Sequence, residues 1–281
     1  MDIKIFVCCH QPVEVPQHPL LVPLQVGAAL ADTHFPGFLH DDTGDNISFK
    51  NRSYCELTGQ YWAWKNVDAD YYGFFHYRRY LYPNKATKRA YRIEENTSSK
   101  VLNKLRFSSL EFLIPQYDLI LPKSENMYVS VQKHYASAPF HHGEDLELVK
   151  EILKDRHPDC EEAINAYLIG SCCYFGNIFI MKRELFQNYC NWLFSILEAF
   201  DYQADVSAYS VQERRVDGYL AERLLGIFCM YHRESRILEL PRVHFVPQRK
   251  DRVAKNLQLT LLPPGTRRRA FIKSLFLGTV D

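Results

Sequence analysis

Several common enzyme signatures are missing from this chain. It has no Gly-x-Gly-x-x-Gly stretch, no P-loop and no Gly-x-Ser-x-Gly elbow, which argues against dinucleotide oxidoreductases, P-loop kinases and serine hydrolases. Its eight cysteines contain no Cys-x-x-Cys spacing, and the adjacent pairs Cys8-Cys9 and Cys172-Cys173 are not of a kind that bridges internally. Neither a zinc site nor a disulfide framework is therefore indicated, and a reducing, cytoplasmic setting fits best. No run approaches the roughly 18 apolar residues of a spanning helix. The opening MDIKIFVCCHQP lacks the basic-then-apolar order of a signal peptide. Internal repeats and linker-like composition are absent too, so residues 1–247 are expected to form a single domain.

What is present is ordinary in bulk and uneven in detail. A hydrophobic share of 47% against 24% charged residues is that of a soluble globular protein with a sizeable core. The 18 Tyr and 18 Phe fit either an aromatic-rich core or a cleft that stacks rings on sugars or bases. The net charge of +1 hides an asymmetry. Residues 248–281 carry eight Lys/Arg against two Asp, leaving that segment at +6 and the remainder at −5. It includes RRRAFIKSLFLG, a basic amphipathic pattern suited either to an anionic membrane surface or to a helix docked on the core.

Apolar β-rich runs alternate with helical patterns along the chain. IKIFVC, YYGFF, YDLILP and the run ending in FGNIFI read as buried strands. SYCELTGQYWAWKNV, GEDLELVKEILKD, RELFQNYCNWLFSILEAF and RRVDGYLAERLLGIFCMY read as helices. The stretch from Gln11 to Pro23 is polar and punctuated by proline, and RIEENTSSK resembles a mobile loop over a site. Alternation of this kind predicts an α/β fold with a mostly parallel central sheet flanked by helices.

Ligands of open α/β sheets gather beyond the C-terminal ends of the strands. Three stretches fall there: the strand exit at His10, the loop DDTGDN with Asp41, Asp42, Asp45 and Asn46, and the loop HYRRY with His76, Arg78 and Arg79. A nucleotide needs acceptors around its base and ribose, which the aspartates supply. It also needs cationic donors around its diphosphate, which His76 and the arginines supply. The alternative is that the arginines pair with structural carboxylates such as Asp68 or Asp70.

DDTGDNISFKN, YCELTGQYWAWKN and DYYGFFHYRRY together resemble a glycosyltransferase family of bacterial capsule, exopolysaccharide and O-antigen clusters, long filed as a domain of unknown function. HHGEDLE, FGNIFIMKRELF and DGYLAERLL extend the resemblance to roughly residues 3–245. It implies a GT-A-like (Rossmann-like) fold and a UDP-sugar donor, with galactofuranose slightly preferred over galactopyranose. It also implies a saccharide acceptor, lipid-linked, at the inner face of the plasma membrane. In the wider GT-A pattern a strand corresponding to YYGFF is followed by an Asp-x-Asp that holds a divalent metal. Here His-Tyr-Arg-Arg follows instead, so Arg78, Arg79 and His76 are expected to replace the metal. A resident Mn or Mg ion is not favoured.

An inverting transfer needs a base for the acceptor hydroxyl. Asp145 in HHGEDLE is preferred over Asp217 and Glu222 in VDGYLAERLL. His141 and His142 are candidates for acceptor hydrogen bonding rather than a metal, since no HExxH or third ligand accompanies them. Asn177, after Gly176, suits a sugar-facing amide or a turn. The rival reading is a non-catalytic nucleotide- or nucleic-acid-binding module. The negative balance of residues 1–247 argues against nucleic acid.

Overall fold

The computed structural model describes residues 1–83, 90–95, 105, 107–246, 249–262, 266–269 and 271–272. Its first strands are β1 (Ile3–Cys9), β2 (Leu21–Gln25), β3 (Leu39–His40), β4 (Tyr71–His76), β5 (Arg79–Leu81) and β6 (Tyr91–Glu95). After these come β7 (Leu119–Pro122), β8 (Glu125–Asn126), β9 (Cys172–Cys173), β10 (Phe179–Lys182), β11 (Ile237–Leu240) and β12 (Arg242–Val246).

The central sheet runs β11-β7-β10-β4-β1-β2-β3. Only β10 on this path opposes its neighbours β4 and β7, and the other pairings are parallel. The mostly parallel α/β architecture is thus present. Strand β1 is apolar on both faces because both are covered. Ile5, Val7 and Cys9 join one core, and Phe6 and Cys8 join the other. The alternation parts the two adjacent cysteines, and all eight thiols are free.

Helices Leu57–Asn66, Gly143–Arg156, Arg183–Gln203 and Val216–Tyr231 build the larger core on one face. Phe186 of the long helix stacks on Tyr72 of β4 at 4.4 Å. The opposite face is closed by Phe107, Leu110 and Ile114. In the helix Val216–Tyr231, Gly226 is required by packing: a Cβ there would lie 1.9 Å from the Tyr167 ring. The helix Arg249–Leu261 runs along β6 and β12.

Two departures from the expected pattern have local causes. Strand β2 begins inside the proline-rich stretch. Strand β3 pairs only with Leu24 and Gln25, so on that side Pro23 faces no partner and its missing N–H costs no ladder bond. The helix read across SYCELTGQYWAWKNV is broken at Cys55, whose φ of 52° is left-handed. It becomes Asn51–Tyr54 and Leu57–Asn66, with Cys55 and Glu56 turned out between them. Of the predicted mobile loop RIEENTSSK, Arg92–Glu95 instead belong to strand β6, paired with β12, and the rest lies outside the described residues.

Candidate active site

The parallel register pairs Cys8 with His76, so the exits of β1 and β4 lie side by side. There the His10 and His76 rings are 6.3 Å apart, and His10 meets Tyr77 edge-on at 5.1 Å. The Arg78 backbone N–H donates to His76 Nδ1 at 3.1 Å, which puts the ring proton on Nε2. Burial, with Arg79 and Arg78 adding repulsion, holds the His76 pKa well below its ordinary value. His76 is therefore a neutral donor at the strand tip.

After that tip the chain reverses into β5, with His76 opposite Arg79. The Arg78 guanidinium lies over the Tyr77 ring at 5.0 Å. Arg79 extends over Gly176, its Nη1 lying 3.6 Å from where a Cβ would be. Neither arginine forms an ion pair with a described carboxylate. The alternative partners are taken, since Asp68 binds Arg183 and Asp70 lies 3.6 Å from the same guanidinium. Arg215 joins the cluster, donating from Nε to Cys55 Sγ at 3.3 Å.

Two chambers open around this corner. One, of about 510 Å³, is lined by His10, Asn51, Arg52, His76, Arg78, Arg214 and Arg215. The other, of about 290 Å³, adds Arg79, His141, Phe175, Tyr219, Glu222 and Arg223. Cys55, Glu56, His76, Arg78 and Arg215 line both. Guanidinium groups held together without paired carboxylates repel one another, and an anion of high charge density relieves that repulsion. A separate groove of about 620 Å³ between helices Val131–Ala136 and Gly143–Arg156 does not touch these residues.

Glu56 was not singled out from the sequence. It sits between the chambers, with Asn177 Nδ2–H donating to its Oε1 at 3.0 Å. Burial raises its pKa, and the charge of Glu222 pushes the same way, while its own backbone N–H, the Asn177 amide and Arg79 oppose the rise. Arg52, Arg214 and Arg215 were equally unmarked; each looks like an ordinary surface basic residue in the sequence.

The acidic loop lies elsewhere. Asp41 is buried and accepts four hydrogen bonds, from the amides of Gly27 and Ala28 and the hydroxyls of Ser48 and Thr58. Those bonds use both lone pairs of each oxygen, so Asp41 clasps the loop and has no acceptor left for a ribose. Asp42 pairs with His34 at 2.8 Å. Asp45 accepts from Tyr61 and Asn46 caps its own turn. None of the four lines either chamber.

The three carboxylates proposed as bases are in different places. Asp145 is buried, accepts from Tyr209 Oη at 2.8 Å, and has its pKa raised by burial. Asp217 is buried against Ser53, and burial reinforced by Asp201 pushes its pKa up to about 7. Neither lines a chamber. Glu222 does, but the Gly176 amide and the buried Arg223 occupy its two oxygens, at 2.5 and 2.7 Å. His142 stacks on Tyr209 at 4.3 Å and lies 3.3 Å from Glu213, outside the chambers. His141 is inside, flat against Tyr219 at 4.1 Å. Asn177 is buried rather than sugar-facing, with its Nδ2 hydrogens donated to Glu56 and the Gly218 carbonyl.

Residues 4–234 match the family described as a domain of unknown function, DUF4422. The chain belongs to the DUF4422 family. This DUF4422 chain is also similar to the apo structure of WbbM, a bifunctional glycosyltransferase, with 31% identity and a TM-score of 0.83. The match covers 87% of this chain and 45% of that one, so the chain spans less than half of WbbM. No curated protein matches it. The sheet and its flanking helices are GT-A-like. A metal suits that fold when carboxylates follow the central strand, but in the DUF4422 chain the residues after β4 are donors and cations. Among the described residues no group of three His, Cys, Asp or Glu is arranged to hold a metal ion. No described helix is long and apolar enough to cross a membrane.

Proposed function

We propose that the protein is a glycosyltransferase that takes a hexosyl group from a UDP-sugar and passes it to a saccharide acceptor. The observation that carries this reading is the pair Arg78 and Arg79 beyond β4, neither in an ion pair with a described carboxylate, joined by Arg215 and the neutral donor His76. Diphosphate is the leaving group of nucleotide-sugar transfer, and fixed guanidinium forks neutralise it as it departs. The likeness to WbbM supports the same class of reaction. Galactofuranose or galactose as the transferred sugar rests on the sequence resemblance alone.

The acceptor is read as a growing, lipid-linked surface polysaccharide met at the cytoplasmic face of the membrane. Val253, Leu257 and Leu261 support this, forming an exposed apolar stripe on a helix whose sequence is rich in Lys and Arg.

The deciding experiment is calorimetric titration of the protein with UDP, in excess chelator and in manganese. Binding that survives chelation and is lost in an Arg78→Ala/Arg79→Ala protein is the expected result. Binding only with manganese would overturn the arginine-held diphosphate. Absence of binding in both would remove the UDP-sugar reading.

A further inference from the structure

Resting on that reading, we propose that Glu56 is the base that takes the proton from the acceptor hydroxyl, in the ring-walled chamber beside the arginine-rich one.

The two chambers differ in chemistry. The larger is dominated by guanidinium groups and suits the nucleoside diphosphate. The smaller is lined by aromatic rings, His141 stacked on Tyr219 together with Phe175, alongside the polar groups of Glu56, Glu222 and the arginines. Flat apolar faces with polar rims suit a sugar ring. A transferred group must pass where the chambers meet, and of the residues there only Glu56 is a hydrogen-bond acceptor of useful basicity. His76 carries its proton on Nε2, Arg78 and Arg215 are cations, and burial lifts the Cys55 thiol to about 11.

The competing groups are excluded by position or by their partners. Asp145 and Asp217 line neither chamber, and Glu222 has both oxygens engaged. His141 donates Nδ1–H to the Pro139 carbonyl at 2.8 Å, leaving Nε2 to accept, but it lines only the smaller chamber. Glu56 is also held still. Asn177 donates from Nδ2 to Oε1 and to the Gly218 carbonyl, both at 3.0 Å, and its backbone carbonyl accepts from Gln60 Nε2 at 3.1 Å. Oε2 has no side-chain partner among the described residues. Around the carboxylate stand Arg79 on β5, Glu222 and Arg215 on the helix side, and the thiols of Cys8 and Cys55.

The step balances as a single displacement. The acceptor oxygen forms a bond to the anomeric carbon while the bond from that carbon to the diphosphate oxygen breaks. The leaving diphosphate keeps the electron pair and is neutralised by the arginines. The hydroxyl proton moves to Glu56 Oε2 and is later released to water. Such a step inverts the anomeric centre.

The test compares wild type, Glu56→Gln, Glu56→Gly and His141→Gln in the full chain. UDP affinity is measured by calorimetry, and UDP release from UDP-galactofuranose and UDP-galactose is measured with water and with octyl galactoside as acceptors. Glu56→Gln should lower turnover by about 1,000-fold while UDP binds within about threefold of wild type, as expected when only proton transfer is lost. Sodium formate should restore part of the Glu56→Gly rate, which a purely structural role would not allow. The acidic limb of the wild-type pH profile should vanish in Glu56→Gln. Turnover of Glu56→Gln within tenfold of wild type, or a loss confined to His141→Gln, would overturn the assignment. UDP binding without release from either donor by the wild type would overturn the transfer reading and Glu56 with it. A failed UDP titration would overturn the donor reading, and the Glu56 step, which needs that diphosphate as its leaving group, would fall with it.

Discussion

The side-chain amide of Asn177 reaches the Glu56 carboxylate at 3.0 Å across 121 residues of chain. Its second N–H contact is the Gly218 carbonyl, so one amide ties the start of helix Leu57–Asn66 to the helix Val216–Tyr231. Asn177 does this from a left-handed backbone, φ 49°, directly after Gly176 at φ 92°. Asparagine tolerates that region better than other residues with a Cβ.

The amide and the backbone can be tested apart. Asn177→Gly keeps the left-handed turn and loses the two hydrogen bonds, which should cost about 1–3 kcal/mol in urea unfolding. Asn177→Ala adds the left-handed penalty and should be worse by about 1 kcal/mol. Equal stabilities would mean that the turn is not set by this residue.

Arg78→Ala and Arg79→Ala should each weaken UDP binding by about 10–100-fold, the range for losing a hydrogen bond to a charged group. Thermal stability should stay unchanged, because neither guanidinium is paired with a described carboxylate. Calorimetry and a melting curve on the same samples check both halves. Wild-type affinity in both variants would move the diphosphate away from this corner.

Much of the fold could be read from the sequence because buried parallel strands are apolar throughout and their helices are periodic. IKIFVC, YYGFF and YDLILP became β1, β4 and β7, and the cationic tip of β4 was visible as His-Tyr-Arg-Arg. What escaped depends on breaks and partners. Nothing in Tyr-Cys-Glu-Leu announces that Cys55 turns left-handed, so Glu56 was absorbed into a continuous helix. Asp41 shows the opposite failure. An aspartate among turn formers looks like a ligand-binding acceptor, and only the structure shows four local donors consuming it. Asp145 and Asp217 look alike in sequence as helix-start carboxylates, and their distance from the chambers is set by helix packing that no local pattern encodes.

Glu222→Gln should destabilise the protein although Gln keeps the shape. Arg223 is 1% exposed and 2.7 Å from Glu222, so the change leaves a buried cation without its counter-charge. Breaking such a pair costs about 3–5 kcal/mol, with the partly exposed Glu222 favouring the lower end. Adding Arg223→Met should recover much of the loss in the double variant. An additive double variant would show that the pair is not coupled.

Asp217 makes stability depend on pH in a predictable direction. Burial, reinforced by Asp201, raises its pKa from 3.8 to about 7. The folded state therefore keeps a proton that the unfolded chain releases. This contribution is complete below the ordinary carboxylate pKa and is lost as pH rises through about 7. Asp217→Asn removes the dependence. Its stability relative to wild type should grow by about 3 kcal/mol between pH 5 and pH 8. A constant difference across that range would mean that Asp217 is already ionised in the folded protein.

The helix Arg249–Leu261 exposes Val253, Leu257 and Leu261 at 56%, 59% and 61%. Residues four apart share a helical face, so these three form one stripe. The surrounding sequence contributes Lys255 and the Arg267–Arg269 run. Insertion of apolar side chains and attraction to anionic headgroups are separable, because only the second is screened by salt. Vesicles containing phosphatidylserine should bind the protein, and raised salt should weaken that binding without abolishing it. Leu257→Glu with Leu261→Glu should weaken it further at every salt concentration, since full burial of each leucine is worth about 1.5–3 kcal/mol. Vesicle binding that ignores both leucines but follows salt would leave the basic charge as the sole attraction. Binding that ignores both variables would detach this helix from the membrane altogether.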